Sequence, residues 1–167
     1  MTVIETARLR LREFTAEDAV FVLRLLNEPS FLRFIGDRGV RSLDDACRYI
    51  AEGPVAGYAR FGHGLLRVER KSDGETVGMC GVLKREALPD PDLGFSFLPE
   101  HWSQGYAIES ARGVLRHARG TLGLGRIVAI TTNDNEPSIR LLGKLGFQFE
   151  RMIRMGDEEL RLFASEP

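Results

Sequence analysis

Leu98-Pro99-Glu100-His101-Trp102-Ser103-Gln104-Gly105-Tyr106-Ala107-Ile108-Glu109-Ser110-Ala111 carries the chain from an apolar strand, broken at Pro99, through a loop of small and polar residues into a helix. A junction of this kind points several unpaired backbone N–H groups at one spot, and the helix macrodipole adds roughly half a positive charge there. It is built to receive an anion, and a phosphate-bearing ligand is the expectation. An ordinary strand-to-helix turn would read the same way, so this segment alone does not separate the two.

What the loop lacks narrows the ligand. A nucleoside-triphosphate loop places a Lys and a Ser or Thr after its last Gly, whereas Gly105 is followed by Tyr106 and Ala107. A dinucleotide fingerprint needs three glycines after a first strand and an acidic residue about 20 positions on. Gly120, Gly123 and Gly125 precede the strand Arg126 to Thr132 instead of following one, and read as a helix end and a turn.

A second unit of the same kind follows. Arg126 to Thr132 reads as a buried strand, Asn133-Asp134-Asn135-Glu136-Pro137-Ser138 as a turn, and Ile139 to Leu145 as a helix closed by Gly146. Consecutive strand-loop-helix units on parallel strands put their loops on one sheet edge, where ligands of open α/β sheets bind.

Together the two segments resemble the GNAT superfamily of N-acetyltransferases. Trp102-Ser103-Gln104-Gly105-Tyr106-Ala107 is similar to its acyl-CoA pyrophosphate loop, with Trp102 in place of the usual Arg or Gln. That departure, with Asn135-Glu136-Pro137-Ser138 and Lys144-Leu145-Gly146-Phe147, resembles the ribosomal-protein alanine N-acetyltransferase (RimJ/RimL-like) branch. Asp92-Leu93-Gly94-Phe95-Ser96-Phe97-Leu98-Pro99 is similar to the strand that pairs with the pantetheine arm, and Thr6-Ala7-Arg8-Leu9-Arg10-Leu11-Arg12 to the branch's first strand. The resemblance implies an α/β fold whose mixed, mostly antiparallel central sheet is splayed between strands 4 and 5, those of Phe97 and Ile130, and flanked by helices. It implies acetyl-CoA as acyl donor, an amine acceptor, and Phe97, Leu98, Ser103, Gln104, Gly105, Tyr106, Ala107, Asn135 and Ser138 as cofactor-binding residues.

Composition agrees without having pointed there. The 167 residues, 43% hydrophobic and 28% charged, are enough for one N-acetyltransferase domain over 1–167. A formal net charge of -1 gives no broad attraction to nucleic acid or an anionic membrane. Met1 to Glu5 has no signal-peptide pattern and no apolar run approaches the ~20 residues of a membrane span, so a cytoplasmic protein is expected. Cys47 and Cys80 form neither a disulfide framework nor a metal cluster and read as packed thiols; no metal is expected.

Along the chain, Leu9 and Leu11 alternating with arginines make a half-buried strand. Thr15 with Asp18 resembles a capping box for a helix to about Asn27. Pro29 to Ile35 reads as a short helix, and Ser42 with Asp45 starts another, reaching about Glu52 before a Gly-rich stretch from Gly53 to Gly64. Leu65 to Arg70 and Thr76 to Leu83 flank the hairpin turn Ser72-Asp73-Gly74-Glu75. Phe147 to Ile153 and Leu160 to Ala164 close the sheet around Gly156-Asp157.

Acetyl transfer from a thioester needs a neutral amine, a polarised carbonyl and a proton for the departing thiolate. An α-amine with pKa near 8 costs below about 1 kcal/mol to neutralise near pH 7.4, a Lys amine about 4. The Tyr that many superfamily members use as acid is matched here by Leu142, which makes Ser138 the replacement candidate; capping its own helix is its other reading. Asn135 caps that helix, contacts the CoA arm, or both. Asp92 is the candidate for drawing the amine proton through water, with a plain loop aspartate as the alternative. A backbone N–H of Phe97 or Leu98 would polarise the carbonyl. His101 is placed to meet cofactor or solvent, and Glu109, which would repel a phosphate, reads as structural. Phe31, Phe34 and Phe61 either wall the acceptor groove or belong to the core. The acceptor is expected to be an α-amine of a protein N-terminus or small metabolite. An acyl-CoA-binding module and an antibiotic or polyamine acetyltransferase are the rival readings, and oligomeric state, a homodimer included, stays open.

Overall fold

The alternation of Leu9 and Leu11 with Arg10 and Arg12 builds a strand, β2 (Leu9–Glu13), in the computed structural model, which describes residues 1–167. Both leucines are fully buried. The chain runs through β1 (Val3–Glu5), β2, α1 (Ala19–Leu26), α2 (Pro29–Phe34), α3 (Leu43–Ile50), α4 (Ala56–Phe61), β3 (Leu65–Arg70) and β4 (Thr76–Leu83). It continues through β5 (Asp92–Phe97), α5 (Tyr106–Gly120), β6 (Ile127–Thr131), α6 (Glu136–Lys144), β7 (Gln148–Met155) and β8 (Glu158–Ser165). One eight-stranded sheet results, in the order β1-β2-β3-β4-β5-β6-β8-β7, antiparallel throughout except between β5 and β6. This is the mixed α/β architecture that the sequence implied.

Two apolar cores cover the two faces of the sheet. Ile4, Leu9, Leu11, Val68 and Cys80 meet Tyr106, Ala111, Val114 and Ala118 of α5. On the other face, Phe14 and Met79 meet Val22, Leu25 and Leu26 of α1, Phe31 of α2 and Ala46 and Ile50 of α3. Phe31 is therefore core. Burial also drives the Cys80 thiol pKa well above its ordinary value, which leaves it an inert packing group.

The feature that positions the site is where β5 and β6 separate. Asp92 pairs with Val128, and the Val128 N–H donates to Pro91 O at 3.0 Å; no further ladder pairing follows. The two strands thus join at one end and part toward the end where both lead into helices. Counted from Leu9 these are the fourth and fifth strands, as expected; β1 makes them the fifth and sixth.

Several boundaries depart from the sequence reading, each for a physical reason. β1 was not foreseen, because three residues are too few to show alternation. The Gly53 to Gly64 stretch is largely helical: α3 runs through one widened turn at Ala51–Val55, where Pro54 lacks the N–H a regular turn would use, into α4, which ends at left-handed Gly62. Tyr58 holds α4 down, its hydroxyl accepting from the Phe14 N–H at 3.1 Å and donating to Leu65 O. The last helix starts at Glu136 and not at Ile139, since Pro137 suits a first helical turn. Phe147 is a core residue ahead of β7.

Candidate active site

The loop between β5 and α5 is held in an unusual backbone. Pro99–His101 form one tight turn and Trp102 is extended; Ser103 then has φ 61, the one non-glycine of the chain with positive φ, and Gly105 has φ 81. Two left-handed residues this close together orient successive peptide groups toward one concavity. α5 begins immediately afterwards with no side-chain cap. Its first intrahelical donor is Glu109, whose N–H reaches Gly105 O at 3.1 Å, so the N–H groups of Tyr106, Ala107 and Ile108 face outward from the helix end. Ser103, Gln104 and Gly105 are exposed. Tyr106 offers the site only its backbone, because its ring is buried in the α5 core.

Side chains fix this loop from outside. Trp102 Nε1 donates to Phe97 O at 2.8 Å, which gives the position that departs from the family pattern a structural task. Arg8 Nη1 donates to Gln104 O at 2.9 Å, and its guanidinium lies 4.6 Å from the centre of the Tyr106 ring. Glu109 holds Arg8 in turn, accepting from its Nε at 2.8 Å and its N–H at 2.9 Å, and from Thr6 Oγ1 at 2.5 Å. Burial works to raise the Glu109 pKa, but the bonds from Thr6 and Arg8 outweigh it and hold the carboxyl below the ordinary range. Glu109 is thus structural, as expected, and it faces away from the loop's concave side.

The gap beside β5 offers backbone donors. Leu98 N–H donates to Val77 O at 3.0 Å and is taken, and the Leu98 side chain is buried in the α1–α3 core. Because an antiparallel ladder turns alternate residues to opposite edges, the N–H groups of Phe95 and Phe97 face the β6 side, where β6 has diverged. Of the two amides considered for polarising a carbonyl, Phe97's is the one that faces the gap.

The loop after β6 is built differently. Asn135 caps α6, its Oδ1 accepting from the Ser138 N–H at 3.4 Å. The cap is therefore Asn135, and the half-buried Ser138 hydroxyl is not used for it. Arg161 Nε anchors Asn133 Oδ1 at 2.7 Å and Arg33 reaches Asp134 at 3.2 Å, tying this loop to β8 and α2. Leu142, at the position of the missing Tyr, is buried core.

Two titratable candidates of the sequence are buried in the structure. Asp92 sits at the joined end of β5, about 16 Å of strand from Phe97 at about 3.3 Å per residue, and is 1% exposed. Arg85 Nε contacts both of its oxygens at 3.2 Å. Burial raises its pKa while Arg85 opposes the shift, so Asp92 is a buried ion-pair partner and not a group brought to the loops. His101 is also buried, its Nε2 3.2 Å from Glu75 Oε1 and its ring 6.5 Å from that of Tyr106, so it is turned from solvent into the base of the loop. Glu75, Glu100 and His101 gather three potential ligand atoms, a grouping invisible in the sequence, but Arg70 and Arg24 already occupy the two carboxylates. Arg8 and Trp102 are the loop-shaping residues that sequence reasoning left without a role. The signal for Arg8 lay in the Thr6 to Arg12 motif, read only as a strand.

Beside α5 an open cleft of about 470 Å³ is lined by Arg112, Leu115, Arg116 and Arg119 with Lys144 and Leu145 of the α6 end. None of its four cations has a carboxylate partner, unlike most arginines of this chain.

Residues 8–148 match the acetyltransferase (GNAT) domain family. The chain is 31% identical over 154 residues to an uncharacterized N-acetyltransferase, YoaA, of Bacillus subtilis (strain 168), covering 91% of this chain and 86% of that one. Among solved structures, an acetyltransferase from Agrobacterium tumefaciens str. C58 superposes with a TM-score of 0.86 at 23% identity over 100% of this chain and 95% of that one. A ribosomal-protein-S5-alanine acetyltransferase from Vibrio fischeri does so with a TM-score of 0.82 at 16% identity, over 99% and 97%; at these identities the likeness is one of fold. A gap between two parallel strands, an uncapped helix facing it, and a family match over most of the sequence all converge: the chain belongs to the GNAT acetyltransferase family and is an acyltransferase.

Proposed function

We propose that the protein moves the acetyl group of acetyl-CoA to a primary amine, an α-amine of a protein N-terminus or of a small metabolite, by direct attack in a ternary complex in the cytoplasm. The observation that carries this reading is the uncapped start of α5 behind left-handed Ser103 and Gly105, opening beside the separated β5 and β6. Backbone N–H groups from Ser103 to Ala107 hold the pyrophosphate, and the amides of Phe95 and Phe97 pair with the pantetheine arm where β6 has left them. The α5–α6 cleft of Arg112, Arg116, Arg119 and Lys144 is suited to the phosphorylated nucleotide end.

Bound acetyl-CoA supplies a thioester, and the chain supplies positioning and charge stabilisation. Phe97 N–H polarises the carbonyl. Ser138 donates its hydroxyl hydrogen bond to the departing sulfur, free to do so because Asn135 does the capping. Deprotonating an α-amine near neutrality costs below about 1 kcal/mol, so water suffices in place of a buried carboxylate base. A polycationic acceptor is disfavoured by the arginines set against three of the carboxylates of this region: Asp37 is held by Arg41 at 2.5 Å, Asp45 by Arg48 at 3.3 Å and Asp134, in the loop before α6, by Arg33 at 3.2 Å. The Vibrio fischeri neighbour, named for a ribosomal-protein alanine, supports the α-amine class.

The test is thiol release from acetyl-CoA across N-terminal peptides, amino acids, polyamines and aminoglycosides, with a no-acceptor control. Release with peptides or amino acids supports the reading. Release confined to polyamines or aminoglycosides overturns the acceptor class but leaves the donor site standing.

A further inference from the structure

The peptide unit between Gln104 and Gly105 lies at the centre of the loop. A trans peptide points its C=O and its N–H in opposite directions. Gln104 O is drawn outward by Arg8 Nη1 at 2.9 Å, so the Gly105 N–H must point the other way, into the concavity. Nothing else in the protein donates to that carbonyl.

Arg8 itself is not free to wander. Glu109, in the first turn of the helix the loop feeds, holds both its Nε and its backbone N–H, and the guanidinium lies on the Tyr106 ring. A Cβ at Gly105 would come within 3.1 Å of Arg8 Nη2, tighter than ordinary contact, so the guanidinium packs closely on the outer face of the loop at this residue. Three contacts from one planar group, with a fourth from the Arg8 backbone N–H, converge on residues 104 to 109, whereas an exposed surface pair would ordinarily make one.

We propose that Arg8 is a positioning residue of the donor site: its guanidinium, clamped by Glu109, locks the Gln104–Gly105 peptide with its N–H turned to the anion, without contacting the donor. The proposal rests on the reading of this loop as the acetyl-CoA site. It requires Arg8's fork and not merely its charge. A lysine ammonium cannot bond Glu109 and reach Gln104 O in the fixed directions that Nε and Nη1 provide.

The experiment is calorimetric binding of acetyl-CoA, with steady-state kinetics, for wild type, Arg8→Ala, Arg8→Lys, Glu109→Gln and the double variant Arg8→Ala/Glu109→Gln. Arg8→Ala is expected to weaken binding about tenfold, Arg8→Lys by nearly as much, and both to leave kcat at saturating donor within about twofold. Glu109→Gln should weaken binding about threefold alone and add nothing to Arg8→Ala, because it acts through Arg8. Lysine restoring wild-type affinity would show that charge alone matters and overturn the clamp, as would unchanged binding in Arg8→Ala or additive effects in the double variant. Should Arg8→Ala not fold, Arg8→Lys and Glu109→Gln carry the same decision. If wild-type protein fails to bind acetyl-CoA, the donor-site reading fails, and that result is distinct from any difference among variants.

Discussion

The chain crosses from strand to helix twice at the open end of the sheet, and the two crossings finish their helices in opposite ways. α6 is capped by its own Asn135 and starts with Pro at the second position, as a self-sufficient helix does. α5, the longest helix, starts at a left-handed glycine with no cap, behind a left-handed serine. A glycine cap gives up roughly a few tenths of a kcal/mol against a capping side chain, and a strained non-glycine residue costs about 1 more. Scaffold demands alone call for neither, and on the proposed function the α5 start is left open for the phosphates of the donor, while the α6 start is finished and leaves the Ser138 hydroxyl uncommitted to the cap. The difference teaches that strand-loop-helix units of similar outline can be finished in opposite ways: one leaves its backbone donors unpaired, the other satisfies one of them with its own side chain.

The sharpest way to break this contrast is at Gly105. Gly105→Glu imposes a side chain on a left-handed backbone and directs it at Arg8, pulling the guanidinium from Gln104 O. Acetyl-CoA affinity should fall about 100-fold or more by calorimetry, and unchanged affinity would remove the loop from the donor site. At the other junction, two alanine substitutions three residues apart should separate cap from chemistry. Ser138→Ala should lower kcat about tenfold, with the acetyl-CoA KM within about twofold and the melting temperature unchanged. Asn135→Ala should cost about 1 kcal/mol of stability, roughly 2–4 °C in Tm for a chain of this size, as a lost cap does. A Ser138→Ala variant with full turnover would reduce Ser138 to a bystander.

Much of this was legible in the sequence because it depends on local chemistry. The Leu9/Leu11 alternation, the Thr15 to Asp18 capping box and the Ser72 to Glu75 turn each carry their structure within a few residues, and all are found. Loop position was legible too, since Pro99, Gly105 and Pro137 punctuate it. What could not be read depends on partners distant in sequence. Arg8 and Glu109 meet across 101 positions, and although Arg85 is only seven residues from Asp92, the burial that makes them an ion pair exists only once β4, β5 and β6 are side by side. The Gly53 to Gly64 stretch misleads for the opposite reason: its glycines signal a loop locally, while Tyr58 anchors it as helix through Phe14 and Leu65.

The smallest effect on activity is expected at the joined end of the splay, where Asp92→Asn tests whether chemistry is confined to the open end. The amide keeps an oxygen for Arg85 Nε, so kcat/KM should change less than about threefold, with the acid limb of the pH profile in place. Stability should respond instead, with a definite sign. Burial raises the folded pKa of Asp92 above its unfolded value, against the pull of Arg85 and Lys84, so the folded state is the better proton binder. Its stabilising contribution is complete below the unfolded pKa of about 3.9 and is lost as pH rises through the folded value. Asparagine does not titrate, so the wild type should lose ground to the variant in urea midpoints as pH rises above about 4. A variant that instead lost its activity about 100-fold, with the acid limb flattened, would carry the catalytic base back to Asp92 and make the joined end of the sheet part of the site.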